Sequence, residues 1–142
     1  MSLPHKAAIG LAAVSAATCA VVGAPAGEAH AATYYGALAL SPGTGAVVSA
    51  VDYASAAAAD TAARAQCGVT DCQTVVQFWN ACGSVVRGAD GKHGWAWGST
   101  RVEAERRAID VLGPSAPPFP SLGSAIPRPA SVRLTACTST AG

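Results

Sequence analysis

The chain carries one residue pattern twice, and this duplication constrains its fold more than any other feature. Ser55 and Thr100 are both suited to begin a helix, because a hydroxyl can accept a hydrogen bond from a free backbone N–H. Gly68 and Gly113 are both suited to end one. Each pair of equivalent residues lies 45 positions apart. The spacing therefore predicts two copies of one structural unit in succession.

Apolar stretches and turn residues around these helices predict strand–strand–helix–strand in each copy. The predicted strands are 34–41, 46–53, 71–81, 83–88, 93–98 and 131–137, and the predicted helices are 55–65 and 100–112. Two copies are too few for a stacked array, so we expect them to close on each other. The expected fold is α+β, with internally duplicated ββαβ units, a mostly antiparallel sheet and both helices on one of its faces.

The second helix has the clearer helical signature. Thr100 and Glu103 have the spacing of a capping box, in which hydroxyl and carboxylate satisfy free backbone donors reciprocally. One half of the helix is apolar and is predicted to face the sheet; its residues are Ala104, Ala108, Ile109, Val111 and Leu112.

The first 31 residues have the three-part pattern of a signal peptide. A short basic start ends at Lys6, residues 7–24 carry no charge, and Ala29-His30-Ala31 is a small-x-small cleavage signature. We expect residues 32–142 to form a single secreted domain with a Pro-rich loop at 114–129. A membrane anchor is the alternative, but no basic cluster follows the apolar stretch. A lipid anchor at Cys19 is another, but no large aliphatic residue precedes that cysteine.

Removing residues 1–31 leaves an even number of cysteines in a short exported chain, which predicts two disulfides. The four are Cys67, Cys72, Cys82 and Cys137. Their spacing lacks the close Cys or His pairs of a zinc site, so we expect no metal. Four cysteines allow three pairings. We choose Cys67 with Cys72 and Cys82 with Cys137, because the second bridge would tie the equivalent ends of the two copies.

Charge argues against two classes of partner. The formal net charge of the chain is +1, and removing Lys6 and Glu28 with the first 31 residues leaves it unchanged. No basic field is present to hold nucleic acid or an anionic membrane. We therefore expect neither nucleic acid as a partner nor an integral membrane segment after cleavage.

Residues for catalysis are sparse. His93 is the one histidine after position 31, and its glycine-rich surroundings favour an exposed turn residue over a general base. No spacing of acidic residues suggests a glycosidase pair, and no phosphate-binding glycine motif follows a strand. The sequence therefore predicts no catalytic residue and no cofactor.

Trp95 and Trp97 are the most distinctive pair of side chains. Two positions apart on a predicted strand, they point to the same face. We expect them, and Trp79, in the core, because an alanine-rich domain needs large side chains inside. The alternative is an exposed aromatic platform beside Lys92 and His93 that would bind sugar rings or a protein.

Several short stretches together resemble the family of domain of unknown function 4189, small exported proteins of actinobacteria. The resemblance covers roughly 34–137 and departs in the inserted 114–129 loop. The matching stretches are Tyr35-Gly36-Ala37-Leu38-Ala39, Ala65-Gln66-Cys67-Gly68, Asp71-Cys72, Val75-Val76, Asn80-Ala81-Cys82-Gly83, Gly94-Trp95-Ala96-Trp97-Gly98, Thr100-Arg101-Val102-Glu103-Ala104 and Ala136-Cys137. It implies export, a compact disulfide-bonded domain and, for some members, a role in dealing with a host, but it transfers no catalytic residue.

Two functional classes remain. We expect a secreted, non-enzymatic interaction domain that binds a protein or an envelope polymer, in the cell envelope or on a host. The alternative is a small secreted hydrolase that acts on a cell-wall polymer, or an inhibitor of one. A cleft holding two carboxylates would favour the enzyme, whereas an exposed aromatic patch would favour binding.

Overall fold

A computed structural model describes residues 32–115 and 128–142. The expected signal peptide, 1–31, and most of the Pro-rich loop, 114–129, lie outside the described residues. The elements in chain order are β1 (Tyr35–Leu40), β2 (Val47–Tyr53), α1 (Ala56–Cys67), β3 (Gln73–Trp79), β4 (Cys82–Arg87), β5 (His93–Gly98), α2 (Arg101–Leu112) and β6 (Ser131–Cys137). Strand–strand–helix–strand thus occurs twice, and the α+β class is confirmed.

The strands form two three-stranded antiparallel sheets, not the one sheet we expected. The strand order is β2-β1-β3 in the first and β5-β4-β6 in the second. α1 packs on the first sheet and α2 on the second, so the helices do not share one face. Each sheet is one copy of the repeated unit.

The chain passes from the first sheet to the second at Asn80 and Ala81, the two residues between β3 and β4. The Asn80 backbone N–H donates to the carbonyl of Tyr34, and its side-chain oxygen accepts from the Tyr34 N–H, both at 3.0 Å. Ala81 instead exchanges bonds with Thr138, which follows β6. Adjacent residues are thus held by different sheets. Asn80 has a φ of 45°, a left-handed conformation that asparagine tolerates.

Buried residues lie between the two sheets and beneath each helix. The layer between the sheets contains Leu38, Val76, Phe78, Ala81 and Val85. The layer between α1 and the first sheet is mostly alanine, since it contains Ala37, Ala39, Ala50, Ala59, Ala63 and Cys72. The two largest fully buried side chains, Phe78 and Leu38, therefore lie between the sheets, and small ones lie under α1.

α2 approaches its sheet closely because β5 presents glycine to it. A Cβ placed on Gly94 would lie 2.5 Å from the Ala108 carbonyl oxygen, and one on Gly98 would lie 2.7 Å from the Ala104 nitrogen. Only alanine fits such an interface, and Ala104 and Ala108 are fully buried. The expectation that Ile109 and Val111 are buried is wrong, because they are 39% and 67% exposed.

Disulfides join Cys67 to Cys72 and Cys82 to Cys137, the two pairs chosen from the sequence. Cys82 and Cys137 are also directly paired in register on β4 and β6. The second bridge therefore fastens the last strand to the central strand of its sheet. Structural disulfides are typical of proteins outside the reducing cytosol.

Both predicted helix caps are present, but the capping box differs from its expected form. Ala58 N–H donates to the Ser55 hydroxyl and Glu103 N–H to the Thr100 hydroxyl, each at 3.2 Å. The Glu103 carboxylate accepts from the Ser99 N–H at 2.8 Å and the Ser99 hydroxyl at 2.6 Å, one residue before the expected donor.

Candidate tryptophan surface

The alternation of β5 separates its glycines from its tryptophans. Gly94 and Gly98 face α2, so Trp95 and Trp97 lie on the opposite face of the strand. In the antiparallel register Trp95 is paired with Val85, and Trp97 with Gly83. Both rings thus lie on the face of the second sheet that is turned toward the first sheet.

The expectation that Trp95, Trp97 and Trp79, which ends β3 of the first sheet, are core residues is wrong. Trp79, Trp95 and Trp97 are 58%, 39% and 45% exposed. Phe78 fills the space instead, since a Cβ on either Gly36 or Gly83 would run into its ring. β5 is an edge strand, so its large side chains reach the rim of the core and solvent. We call Trp79, Trp95 and Trp97 the tryptophan surface.

The Trp97 ring is held from two directions. Its centroid lies 6.0 Å from that of Trp79, with the ring planes inclined by 32°, within the range of favourable aromatic pairs. The Arg107 guanidinium lies over the same ring at 5.7 Å, a cation–π distance. Arg107 also donates to the Trp97 carbonyl oxygen at 3.4 Å.

A carboxylate fixes Arg107 in turn. Glu103 accepts from Arg107 at 2.6 Å through one oxygen and from Ser99 through the other. The pKa of Glu103 is lowered from its ordinary value, first by the Ser99 hydroxyl, then by the Ser99 N–H, with further contributions from the Arg107 and Arg106 charges. The carboxylate is therefore ionised at neutral pH, and a chain of contacts runs from Ser99 to Trp79.

This chain predicts an acid-dependent change at the tryptophan surface. A lowered carboxyl pKa means that the favourable contacts of Glu103 are complete above the ordinary value of 4.5 and are lost as pH falls through the folded-state pKa. We expect indole fluorescence to stay constant as pH falls to 4.5. It should change at lower pH, where protonation of Glu103 releases Arg107.

Glu103→Gln tests this expectation, because glutamine keeps an acceptor for Ser99 without the charge. The acid step in fluorescence should disappear in this variant. It should remain in Asp71→Asn, since Asp71 also has a lowered pKa but is bonded to Ser41 and Gly43. An undiminished step in Glu103→Gln would show that protonation of another group causes the fluorescence change.

The predicted companions of the tryptophans, His93 and Lys92, lie at the other end of β5. Lys92 is exposed and paired with Asp90 at 3.4 Å. His93 lies on the same face as Trp95 and Trp97 and is paired in register with Arg87. Its pKa is lowered, mainly by burial and then by the charges of Arg87 and Arg133. His93 Nε2 is buried without a hydrogen-bond partner among the described residues. The expectation that His93 is an exposed turn residue is therefore wrong, because the residue begins β5 and is half-buried.

A cleft of about 470 Å³ beside α1 brings two carboxylates together, those of Asp60 and Asp71. Asp60 pairs with Arg64 at 3.8 Å. Asp71 accepts from the Ser41 hydroxyl at 2.7 Å and the Gly43 N–H at 2.8 Å, and its pKa is lowered. A glycosidase acid needs a raised pKa, so Asp71 lacks the property required of that acid.

Within residues 32–115 and 128–142, no group of three His, Cys, Asp or Glu side chains is placed to hold a metal ion. In the same ranges, no helix has the length and apolar character needed to cross a membrane. The tryptophan surface is therefore the most distinctive candidate site in the part of the chain that the structure describes.

Comparison with known proteins gives one match. A family model described as "Domain of unknown function (DUF4189)" matches residues 35–116. The matched segment includes β1 to α2 and therefore all three tryptophans. No curated protein and no solved structure matches the chain.

Proposed function

Because this chain belongs to the DUF4189 family, whose description names no reaction, we propose a function from the tryptophan surface itself. The protein is a secreted, non-enzymatic interaction domain, and the tryptophan surface is where it contacts a protein or an envelope polymer. Residues 1–31 direct export and are then removed, and the domain acts in the cell envelope or on a host.

The observation that carries this proposal is the exposure of three indoles at one place. Tryptophan is rarely left exposed without a role, since each ring offers a large apolar area and one N–H donor. Neighbouring exposed rings are the composition typical of binding surfaces. The contacts of Trp97 with Arg107 and Trp79 fix its orientation in advance, which lowers the entropy lost on binding.

The state of His93 supports a non-enzymatic role. A general base must reach its substrate and must be oriented through its other nitrogen. His93 Nε2 is covered by neighbouring atoms, and two arginine charges disfavour the imidazolium that catalysis would form. A residue in this environment serves packing better than proton transfer.

Affinity capture with the mature domain tests the proposal. We expect the domain, immobilised through its C-terminus, to retain a component of envelope or host extracts. Trp97→Ala should reduce retention by about tenfold or more, the scale of a lost aromatic contact. Val102→Ala is the matched control, because Val102 is 73% exposed on α2 and should change retention little.

A parallel assay separates the enzyme alternative. Any hydrolysis of cell-wall polymer by the wild-type domain should be measured with His93→Ala beside Trp97→Ala. Turnover that falls by more than about 100-fold in His93→Ala, the scale of a lost acid–base group, would contradict the interaction domain. Retention that is equal in Trp97→Ala and wild type would remove the tryptophan surface as the contact.

A further inference from the structure

We infer that the ligand of this surface is an acidic glycan chain, which lies along β5 from the tryptophan surface to a basic end formed by Arg87, Lys92 and Arg133. The inference rests on the proposed function, since it names the ligand class of the same site.

The register of β4 and β5 places these groups along one line. His93, Trp95 and Trp97 share a face of β5 with Arg87 on β4. Val85 and Gly83, the partners of the two tryptophans, are buried, so the line runs along the outer edge of β5, where both indoles are exposed. From His93 to Trp97 the strand advances about 13 Å, at about 3.3 Å per residue. This length exceeds one sugar ring and suits several linked rings.

The charges along this line favour an anionic ligand. Arg87 and Arg133 are exposed. Arg87 is paired with His93 in register, Arg133 lies on β6 at the other side of β4, and the charges of both lower the pKa of His93. The nearby carboxylates are already bonded, Asp90 to the N–H and ammonium of Lys92, and Glu103 to Ser99 and Arg107. Asp90 therefore compensates the charge of Lys92, and the uncompensated positive charge at the basic end is that of Arg87 and Arg133.

The rings themselves favour a glycan over an acidic peptide. An indole face is electron-rich, and the C–H bonds on one face of a sugar ring complement it without any enclosing pocket. Peptide anchors reach high affinity in pockets that exclude water, but the three indoles are 39–58% exposed. A peptide adding to the edge of β5 would also need the Trp97 carbonyl, which Arg107 already occupies.

Calorimetric titration of the mature domain with two hexasaccharides tests the inference. Hexagalacturonate is the acidic probe and chitohexaose the neutral one, at low and high salt. We expect hexagalacturonate to bind more tightly, and the difference to shrink at high salt. Trp97→Ala should weaken its binding about tenfold, with a smaller loss in Trp97→Phe as the fold-preserving variant. Arg87→Ala should weaken hexagalacturonate about threefold, and Val102→Ala should weaken neither probe.

The His93 imidazole gives a second readout. An anion at the basic end offsets the charges of Arg87 and Arg133, which lower the pKa of His93, while Asp90 remains paired with Lys92. The pKa of His93, followed by NMR, should therefore rise when hexagalacturonate is added and stay unchanged with chitohexaose.

Three results would overturn the inference. One is equal or tighter binding of chitohexaose, which would remove the role of the basic end. Another is tighter binding of hexaglutamate than of hexagalacturonate, which would make the ligand an acidic peptide. The third is no binding of either glycan; if retention from extracts still depends on Trp97, the proposed function stands while the glycan inference fails.

Discussion

Replacing both Cys82 and Cys137 by alanine is expected to lower the unfolding free energy of the mature domain by about 4 kcal/mol, the chain-entropy value for a loop of this length. The bridge spans 55 residues and joins β4 to β6. Small domains have unfolding free energies of only about 5–15 kcal/mol, so the variant should lose a large share of its stability and unfold at a clearly lower denaturant concentration.

The second disulfide supplies the matched control for this prediction. Cys67 and Cys72 are only five positions apart, and the same chain-entropy relation gives about 2 kcal/mol for so short a loop. Chemical denaturation of the two double-alanine variants should therefore give clearly different midpoints. Equal midpoints, or a greater loss in Cys67→Ala/Cys72→Ala, would contradict the view that the long bridge carries the stability.

Phe78→Ala is expected to lower the unfolding free energy by about 3–5 kcal/mol, the usual cost of removing a buried phenylalanine. Its side chain is 1% exposed and lies in the layer between the sheets. Gly36 and Gly83 leave no side chain where the ring sits, so these two neighbours cannot fill the cavity. The loss should therefore lie at the upper end of this range.

Trp79→Ala is the control for Phe78→Ala, because Trp79 is the next residue and has a larger side chain. It is 58% exposed, so its removal from water on folding is far less complete. The denaturation midpoint should fall much less than in Phe78→Ala. A greater fall in Trp79→Ala would mean that the tryptophans support the fold, as we first expected from the sequence.

The elements were predictable because their signals are local. Ser55 and Thr100 accept the expected cap bonds, and β5 and β6 have the predicted bounds. The repeated spacing also predicted that strand–strand–helix–strand occurs twice. The equivalent positions of Cys82 and Cys137 in the two copies predicted the disulfide that joins them. Each of these signals depends on a few neighbouring residues or on the number of residues between two equivalent positions.

The two-sheet arrangement was not predictable in the same way. It depends on Asn80 and Ala81 bonding to residues far away in the sequence, Tyr34 and Thr138. A two-residue link between strands usually predicts a hairpin in one sheet. The structure shows a left-handed φ at Asn80, where the chain leaves the first sheet for the second, but a φ angle cannot be read from the sequence.

The tryptophans were placed wrongly because periodicity gives the face of a strand but not its position in a sheet. Trp95 and Trp97 do share a face, and that face does turn toward the other sheet. β5 is an edge strand, however, and Phe78 occupies the space beside Gly83. An alanine-rich composition suggested that every large ring was needed inside. Phe78 alone fills the space that Gly36 and Gly83 leave open between the sheets.

Oxidative footprinting of the mature domain, with and without the component retained from extracts, tests the central claim most directly. Hydroxyl radicals modify exposed aromatic side chains, and mass spectrometry locates the products. Bound ligand should protect Trp79, Trp95 and Trp97 together and leave Tyr53 on β2 unchanged. Protection of Tyr53 with the three tryptophans still fully reactive would contradict the claim, because the contact would then lie elsewhere on the domain.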